Sequence, residues 1–165
     1  MRFFNYSHRH GKELVHMLHP TEYNEITSIL TNLEPFPHGA EKNTTPVLRI
    51  SESFKDHEWK LEKEIPLSEN KIDKCDMYKN KIFIEQEYSK FETLFRDFFR
   101  FILLHDRGEL DVGVIICYDE SAFDRWGSAV PSYKSSRATL QRTKDFLTGD
   151  YGSVVRVPVW VIGIE

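Results

Sequence analysis

Cysteine is scarce: Cys75 and Cys117 are the two in 165 residues. They lack metal-ligand spacing and fall in predicted strands, so both read as reduced core residues of a cytoplasmic protein. The seven histidines have no zinc-site spacing, and there is no glycine-rich phosphate loop. Zinc hydrolase and nucleotide-binding chemistry therefore rank low. No apolar run is long enough to span a membrane, and Met1-Arg-Phe-Phe-Asn-Tyr-Ser-His lacks the continuous apolar stretch of a signal peptide. Internal repeats and low-complexity segments are absent as well. Excess positive charge is missing too, since the formal net charge is −4. That average hides a local bias: Arg125, Lys134, Arg137, Arg142 and Lys144 occur in a stretch with no acid. Such a stretch is either a solvated face or a phosphate-facing surface in an otherwise acidic protein.

What the chain does have is apolar mass. Hydrophobic residues make up 40% and there are 12 phenylalanines, enough to bury a real core in one domain. We divide that domain into N-terminal helices and a loop (1–53) and a core region (54–165). Leu14, Leu18, Ile26, Ile29, Leu30 and Leu33 recur at helical spacing, with Pro20 splitting the region into two helices. Residues 34–53, with Pro35, Pro37, Gly39 and Pro46, read as a loop. Three strands follow, near 57–65, 70–78 and 81–88. A helix over 89–105 carries Phe91, Leu94, Phe95, Phe98 and Ile102 on its predicted core stripe, with Gly108 as its stop. Leu110-Asp-Val-Gly-Val-Ile-Ile-Cys-Tyr118 is a strand buried on both faces. After a loop over 119–135 come a helix near 136–147 and a last strand over 154–164, where Pro158 suggests an edge or a bulge. The order predicts an α/β fold: a central mixed sheet flanked by helices on both faces.

The chemistry concentrates in residues 76–88. Side chains on a strand alternate faces, so Ile82, Ile84 and Gln86 point one way and Phe83, Glu85 and Glu87 the other. A two-residue turn at Lys79-Asn80 or Asn80-Lys81 puts Asp76 on the face of Glu85 and Glu87, and Asn tolerates the left-handed backbone of such turns. A three-residue loop would reverse that parity. Because the opposite face is apolar, the hairpin is expected inside the sheet, where acids need a partner. Clustered carboxylates repel unless a cation sits among them, and oxygen ligands favour a hard ion such as Mg2+.

An Asp, then Glu-x-Glu on a hairpin, a helix and a buried strand resemble the PD-(D/E)xK nuclease core. The phrase Ile-Phe-Ile-Glu-Gln-Glu, an aromatic-rich helix carrying Arg, and Gly108 to Ile116 narrow it. Together they are similar to type II restriction endonucleases of the BglII and BstYI group. Tyr6-Ser-His-Arg-His-Gly-Lys-Glu-Leu and Val157-Pro-Val-Trp-Val-Ile-Gly-Ile also look like that group's ends. The third catalytic position departs from the group's pattern. It is Glu87, the Glu-x-Glu variant as in BamHI, and the chain is shorter than usual members.

The resemblance implies Mg2+-dependent, sequence-specific hydrolysis of double-stranded DNA by a prokaryotic restriction enzyme, with one or two ions per active site. Palindromic cleavage would call for a homodimer. Asp76 and Glu85 are the expected metal ligands with the backbone carbonyl of Gln86, and Glu87 is either a ligand or the group that deprotonates water. DNA contacts are expected from Ser89 and Lys90, and from Ser132, Tyr133, Lys134, Ser135, Ser136 and Arg137, hydroxyls and cations suited to base edges and phosphates. Glu13 and Glu25 read as surface residues, and Asp73 as off the face of Asp76. Asp111 reads as satisfied by an Arg or a loop cap. Phe99 and Phe101 lie off the stripe, available to a second copy or to packing under the N-terminal helices. Two alternatives stay open: a nuclease of the same fold acting in repair or on modified or branched DNA, and a non-catalytic DNA-binding module.

Overall fold

Two apolar runs set the middle of the molecule. Val112–Tyr118 and Val159–Ile164 offer no polar face to water, so each must lie inside a sheet covered on both sides. Every residue of both strands is buried. The computed structural model describes residues 1–34, 44–68, 70–125 and 137–165. Its six strands are β1 (Phe3–His8), β2 (Lys60–Ser68), β3 (Lys71–Lys79), β4 (Ile82–Gln86), β5 (Val112–Tyr118) and β6 (Val159–Ile164). They form one mixed sheet in the order β1-β6-β5-β4-β3-β2. The parallel pairs are β4 with β5 and β5 with β6, and the other neighbours are antiparallel.

Alternation along β5 divides the core in two. Val112, Val114 and Ile116 pack with Val15 of α1 (Gly11–Leu18), Ile26 and Leu30 of α2 (Pro20–Asn32), and Ile50 and Phe54 of α3 (Thr44–Lys55). Ile115 and Cys117 face Leu94, Phe98, Phe101 and Leu104 of α4 (Thr93–Asp106), together with Leu147 of α6 (Leu140–Thr148). Between them in sequence, α5 (Glu120–Arg125) returns Ala122 and Phe123 to the first layer. Full burial of each Ile, Leu or Phe contributes roughly 1.5–3 kcal/mol. The two layers are what hold the sheet flat against its helices.

The predicted split at Pro20 is present: His19 ends α1 and Pro20 opens α2. Other expectations are corrected. Residues 3–8 form a strand at the sheet edge, where alternation is weak because only one of its six residues is fully buried. Residues 44–53, read as loop, belong to a helix, Thr44–Lys55, since proline is tolerated in a helix's first turn and Pro46 lies there. Helix α5 falls within the predicted 119–135 loop, of which residues 126–135 lie outside the described ones. Pro158 marks neither an edge nor a bulge. It precedes β6, which is flanked by β1 and β5, and its carbonyl accepts from the Gly113 amide at 3.1 Å. Finally, the buried face of α4 runs through Leu94, Asp97, Phe98, Arg100, Phe101 and Leu104. Phe101 is therefore core, whereas Phe99 is 70% exposed.

Candidate active site

The hairpin joining β3 to β4 is a two-residue turn. Lys79 pairs with Ile82, and the residues between them, Asn80 and Lys81, have φ of 45° and 64°. Left-handed backbone at both central positions is the type I′ geometry that matches strand twist. The side chain of Asn80 also donates to Glu22 Oε1 at 2.6 Å. With this turn the register Met77–Ile84, Tyr78–Phe83 continues to set Asp76 opposite Glu85, on one face of the sheet. Ile82 and Ile84 point to the other face, towards α1, α2 and α3. Gln86 follows them, its amide donating to Ser51 Oγ of α3 at 2.8 Å.

Asp76 sits where the sheet forks. Its β4 neighbours go on to pair with β5, while pairing of β3 to β4 ends at Met77. On the other side the ladder steps from Leu61–Met77 to Lys63–Cys75, past Glu62 with a φ of 50°. Asp76 thus has no ladder partner on either side. A side chain takes over: Asp76 Oδ2 accepts the Gln86 amide at 2.7 Å, and the Asp76 amide faces the Glu85 carboxylate. This clasp fixes the two carboxylates next to each other.

Helix α4 delivers the next groups. Asp97 and Arg100 lie on its buried face, 2% and 4% exposed. Arg100 Nη2 donates to Asp97 Oδ1 and Nη1 donates to the Lys74 carbonyl. Nη1 is also 3.6 Å from Asp73 Oδ1, and Nη2 is 3.3 Å from Glu85 Oε1. That last contact has ion-pair distance but not hydrogen-bond alignment, and Glu85 Oε1 is left buried without a hydrogen-bond partner. Glu87, 6% exposed, is held differently: its Oε1 accepts from Ser89 N at 2.8 Å and Ser89 Oγ at 2.5 Å, and its amide donates to the Ile116 carbonyl.

Burial and like charge raise these acids together. Asp76 is raised by desolvation, partly offset by the Gln86 amide. Glu85 is raised well above the usual carboxylate range by desolvation and then by the Asp97 charge. Asp97 is pushed up to about 6 by burial, against the pull of Arg100. Burial alone would lower Arg100, but Glu85 and Asp97 outweigh it and raise its pKa. One guanidinium faces more carboxylates than it can neutralise.

Among the described residues, no three or more His, Cys, Asp or Glu side chains close round a point as a ready-made metal cage. Mg2+ rarely uses such cages. It is held by one or two carboxylates, waters and substrate phosphates. Two adjacent carboxylates, one with an unpartnered buried oxygen, fit that mode of binding. The Gln86 main-chain amide is committed to Asp76 and its side chain to Ser51.

The sequence nominated two DNA-facing segments, and their described parts lie side by side. Ser89 and Lys90 are exposed. Lys90 bridges to Arg137, Ala138 N donates to Ser89 O at 3.1 Å, and Arg137 Nη1 donates to Tyr88 O at 2.8 Å. Ser132, Tyr133, Lys134, Ser135 and Ser136 lie outside the described residues. Away from the site, Glu13 accepts from Ser7 Oγ, and Glu25 accepts from Trp59 Nε1 and pairs with Lys79 at 2.9 Å. Asp111 is satisfied, by His19 at 3.0 Å and Lys81 at 4.0 Å rather than by an Arg. Asp97 and Arg100 were missed as site residues. The available signal was a charged pair three residues apart inside the apolar run Leu94 to Leu104.

A carboxylate-lined fork in a mixed sheet, braced by a helical arginine, defines the class of site. The family model "Restriction endonuclease BglII/BglIII" matches residues 3–164, and the chain belongs to that family. Among solved structures, the chain is similar to restriction endonuclease BglII complexed with a DNA 16-mer, with a TM-score of 0.78 and 16% identity. That match covers 100% of this chain and 78% of the other. Free BglII matches with a TM-score of 0.68 and 19% identity, over 100% of this chain and 80% of that one. At these identities the likeness is one of fold. No curated protein sequence matches the chain.

Proposed function

We propose that this protein is a Mg2+-dependent type II restriction endonuclease. It would hydrolyse phosphodiester bonds of double-stranded DNA at a specific, palindromic sequence. The observation that carries the reading is the Asp76–Glu85 clasp with its unpartnered buried oxygen, in a chain of the BglII/BglIII family.

Asp76, Glu85 and the Gln86 carbonyl are the proposed metal ligands, for one or two ions. When bound, such an ion neutralises phosphate charge and activates water. The protein's own groups do the rest. Burial keeps bulk water away from Glu85, and the hydrogen bond from the Gln86 amide to Asp76 holds the two strands together beside its carboxylate. Glu87, held by two Ser89 bonds, would either orient and deprotonate the attacking water or serve as a further ligand. Ser89 and Lys90, with Arg137 beside them and 132–136 leading in, are the proposed DNA-contacting strip. On this reading residues 1–165 work as a single nuclease domain in a prokaryotic cytoplasm. Among the described residues, no helix is long and apolar enough to cross a membrane.

Cutting both strands of a palindrome requires two sites related by a two-fold axis, hence a homodimer. The outer face of α4 supports one. Phe95, Phe99, Tyr151 and Val154 are exposed around an apolar hollow floored by Phe98, Ile102, Phe146 and Val155. The deciding experiment incubates the protein with unmethylated phage-sized DNA and Mg2+, beside Asp76→Ala, and sequences the ends. Discrete ends from the wild type alone are expected. Intact DNA in both, with Mn2+ and several salt concentrations tried, would remove the restriction-enzyme reading.

A further inference from the structure

Arg100 is an expensive residue to bury. It is 4% exposed, it spends donors on Asp97 and on the Lys74 carbonyl, and its Nε has no hydrogen-bond partner. A merely structural cation would complete its bonds. This one stops 3.3 Å from Glu85 Oε1, close enough to attract and misaligned for a hydrogen bond.

We propose that Arg100, aimed by Asp97, is a positioning residue that holds the Glu85 carboxylate in the orientation that receives the divalent cation. The planar guanidinium spans α4 and the fork: one nitrogen is tied to the Lys74 carbonyl on β3, the other to Asp97 on its own helix. Glu85 on β4 is thereby flanked, by the Asp76 amide along the sheet and by Arg100 from above. Its freedom is limited to small movements about one place. A lysine carries the same charge but has no fork, so it cannot hold both anchors at once. The assignment therefore makes shape, not charge, the property that counts. It rests on the metal-site reading given above.

The test titrates Mn2+ alone, followed by electron paramagnetic resonance of the free ion, into wild type, Asp76→Ala, Arg100→Lys and Asp97→Asn. Thermal melts of each variant check folding. Groups that orient a metal ligand typically contribute roughly 10–100-fold in affinity. Arg100→Lys and Asp97→Asn are each expected to weaken Mn2+ binding by at least about tenfold. Combining them should weaken it by less than the product of the two losses, because they act through one carboxylate. If Arg100→Lys does not fold, Asp97→Asn carries the test by itself. Mn2+ affinity within about twofold of wild type in a folded variant, with Asp76→Ala still losing the ion, overturns the positioning role and leaves the metal site standing. Tighter binding would show Arg100 to be a competing charge and overturns the role too. No Mn2+ binding by the wild type, or equal binding by Asp76→Ala, brings down both readings.

Discussion

Gly113→Ala should disable the protein from outside its site. Gly113 is the glycine of the Asp-Val-Gly-Val-Ile-Ile strand, and the space where its Cβ would stand is filled by the Phe101 ring. A Cβ there would lie 2.3, 2.5 and 2.7 Å from Cδ2, Cε2 and Cγ. Ordinary contact begins at 3.4 Å, so something must retreat by about 1 Å. Phe101 is fully buried and the clash reaches Cγ at the base of its ring, so turning the ring about Cβ–Cγ does not relieve it. Helix α4 itself must move. Overpacking of this kind costs roughly 1–3 kcal/mol, and we expect the upper half of that range, a fall in Tm of roughly 4–12 °C. The same movement displaces Asp97 and Arg100, and a misplacement of about 1 Å can cost roughly 100-fold in rate. Urea unfolding and single-turnover DNA cleavage read the two effects. Phe101→Leu in the same chain should restore part of both, with a coupling of about 0.5–3 kcal/mol. A Gly113→Ala protein as stable as wild type, or losses that simply add, would refute the reasoning.

Three further outcomes follow from other parts of the structure. Asp97 is raised from an aspartate's usual 3.8 to about 6, and Glu85 and Asp76 are raised as well. The folded state therefore holds protons that the unfolded chain releases first, and metal-free stability should fall as pH rises through that window. Melts from pH 4 to 7 should show the fall, and Mg2+ should reduce it; stability rising with pH in the absence of metal would contradict the burial argument. Lys81→Gly should stabilise the hairpin by about 0.5–1 kcal/mol, because Lys81 holds a φ of 64° that a non-glycine residue adopts at a cost. If the proposed dimer forms through the outer face of α4, Phe99→Asp should leave the Tm of the monomer unchanged while weakening self-association at least tenfold, about 1.4 kcal/mol, in sedimentation; unaltered association would overturn that face as the interface.

The parts of this fold that were legible in the sequence are those fixed by local rules. Parity across Asn80 and Lys81 follows once the turn has two residues, and it then sets Asp76 on the face of Glu85; the length of the turn is what the structure supplies. The two-sided burial of β5 follows from its unbroken apolar run. What escaped depends on partners distant in sequence. Strand β1 exists because β6 offers it an edge, not because Phe3 to His8 alternate. Phe101 looked like surplus because its stripe was counted from Phe91. Its real partner is an absent side chain, the hydrogen of Gly113. Pro46 reads as part of a loop and Pro158 as an edge or a bulge, yet one lies in a helix's first turn and the other precedes a strand, positions where no amide is missed.

Asp97 and Arg100 escaped for a more instructive reason. A charged pair three residues apart on a helix is ordinarily a solvated one, contributing a few tenths of a kcal/mol. Only the fork in the sheet turns it inward. Where β3 leaves β4, the ladder bonds of Asp76 are lost, and the opening admits a guanidinium from above and the Glu85 carboxylate from the side. Burial then penalises every charge there, and the penalty is least when opposite charges balance. They do not balance here: Arg100 faces Asp97, Glu85 and Asp73, with Asp76 behind them. A fold selected for stability alone would replace this group with packed aliphatic side chains. That it stands where β3 and β4 part, beside exposed Ser89 and Lys90, supports the proposal that a cation supplies the balancing charge.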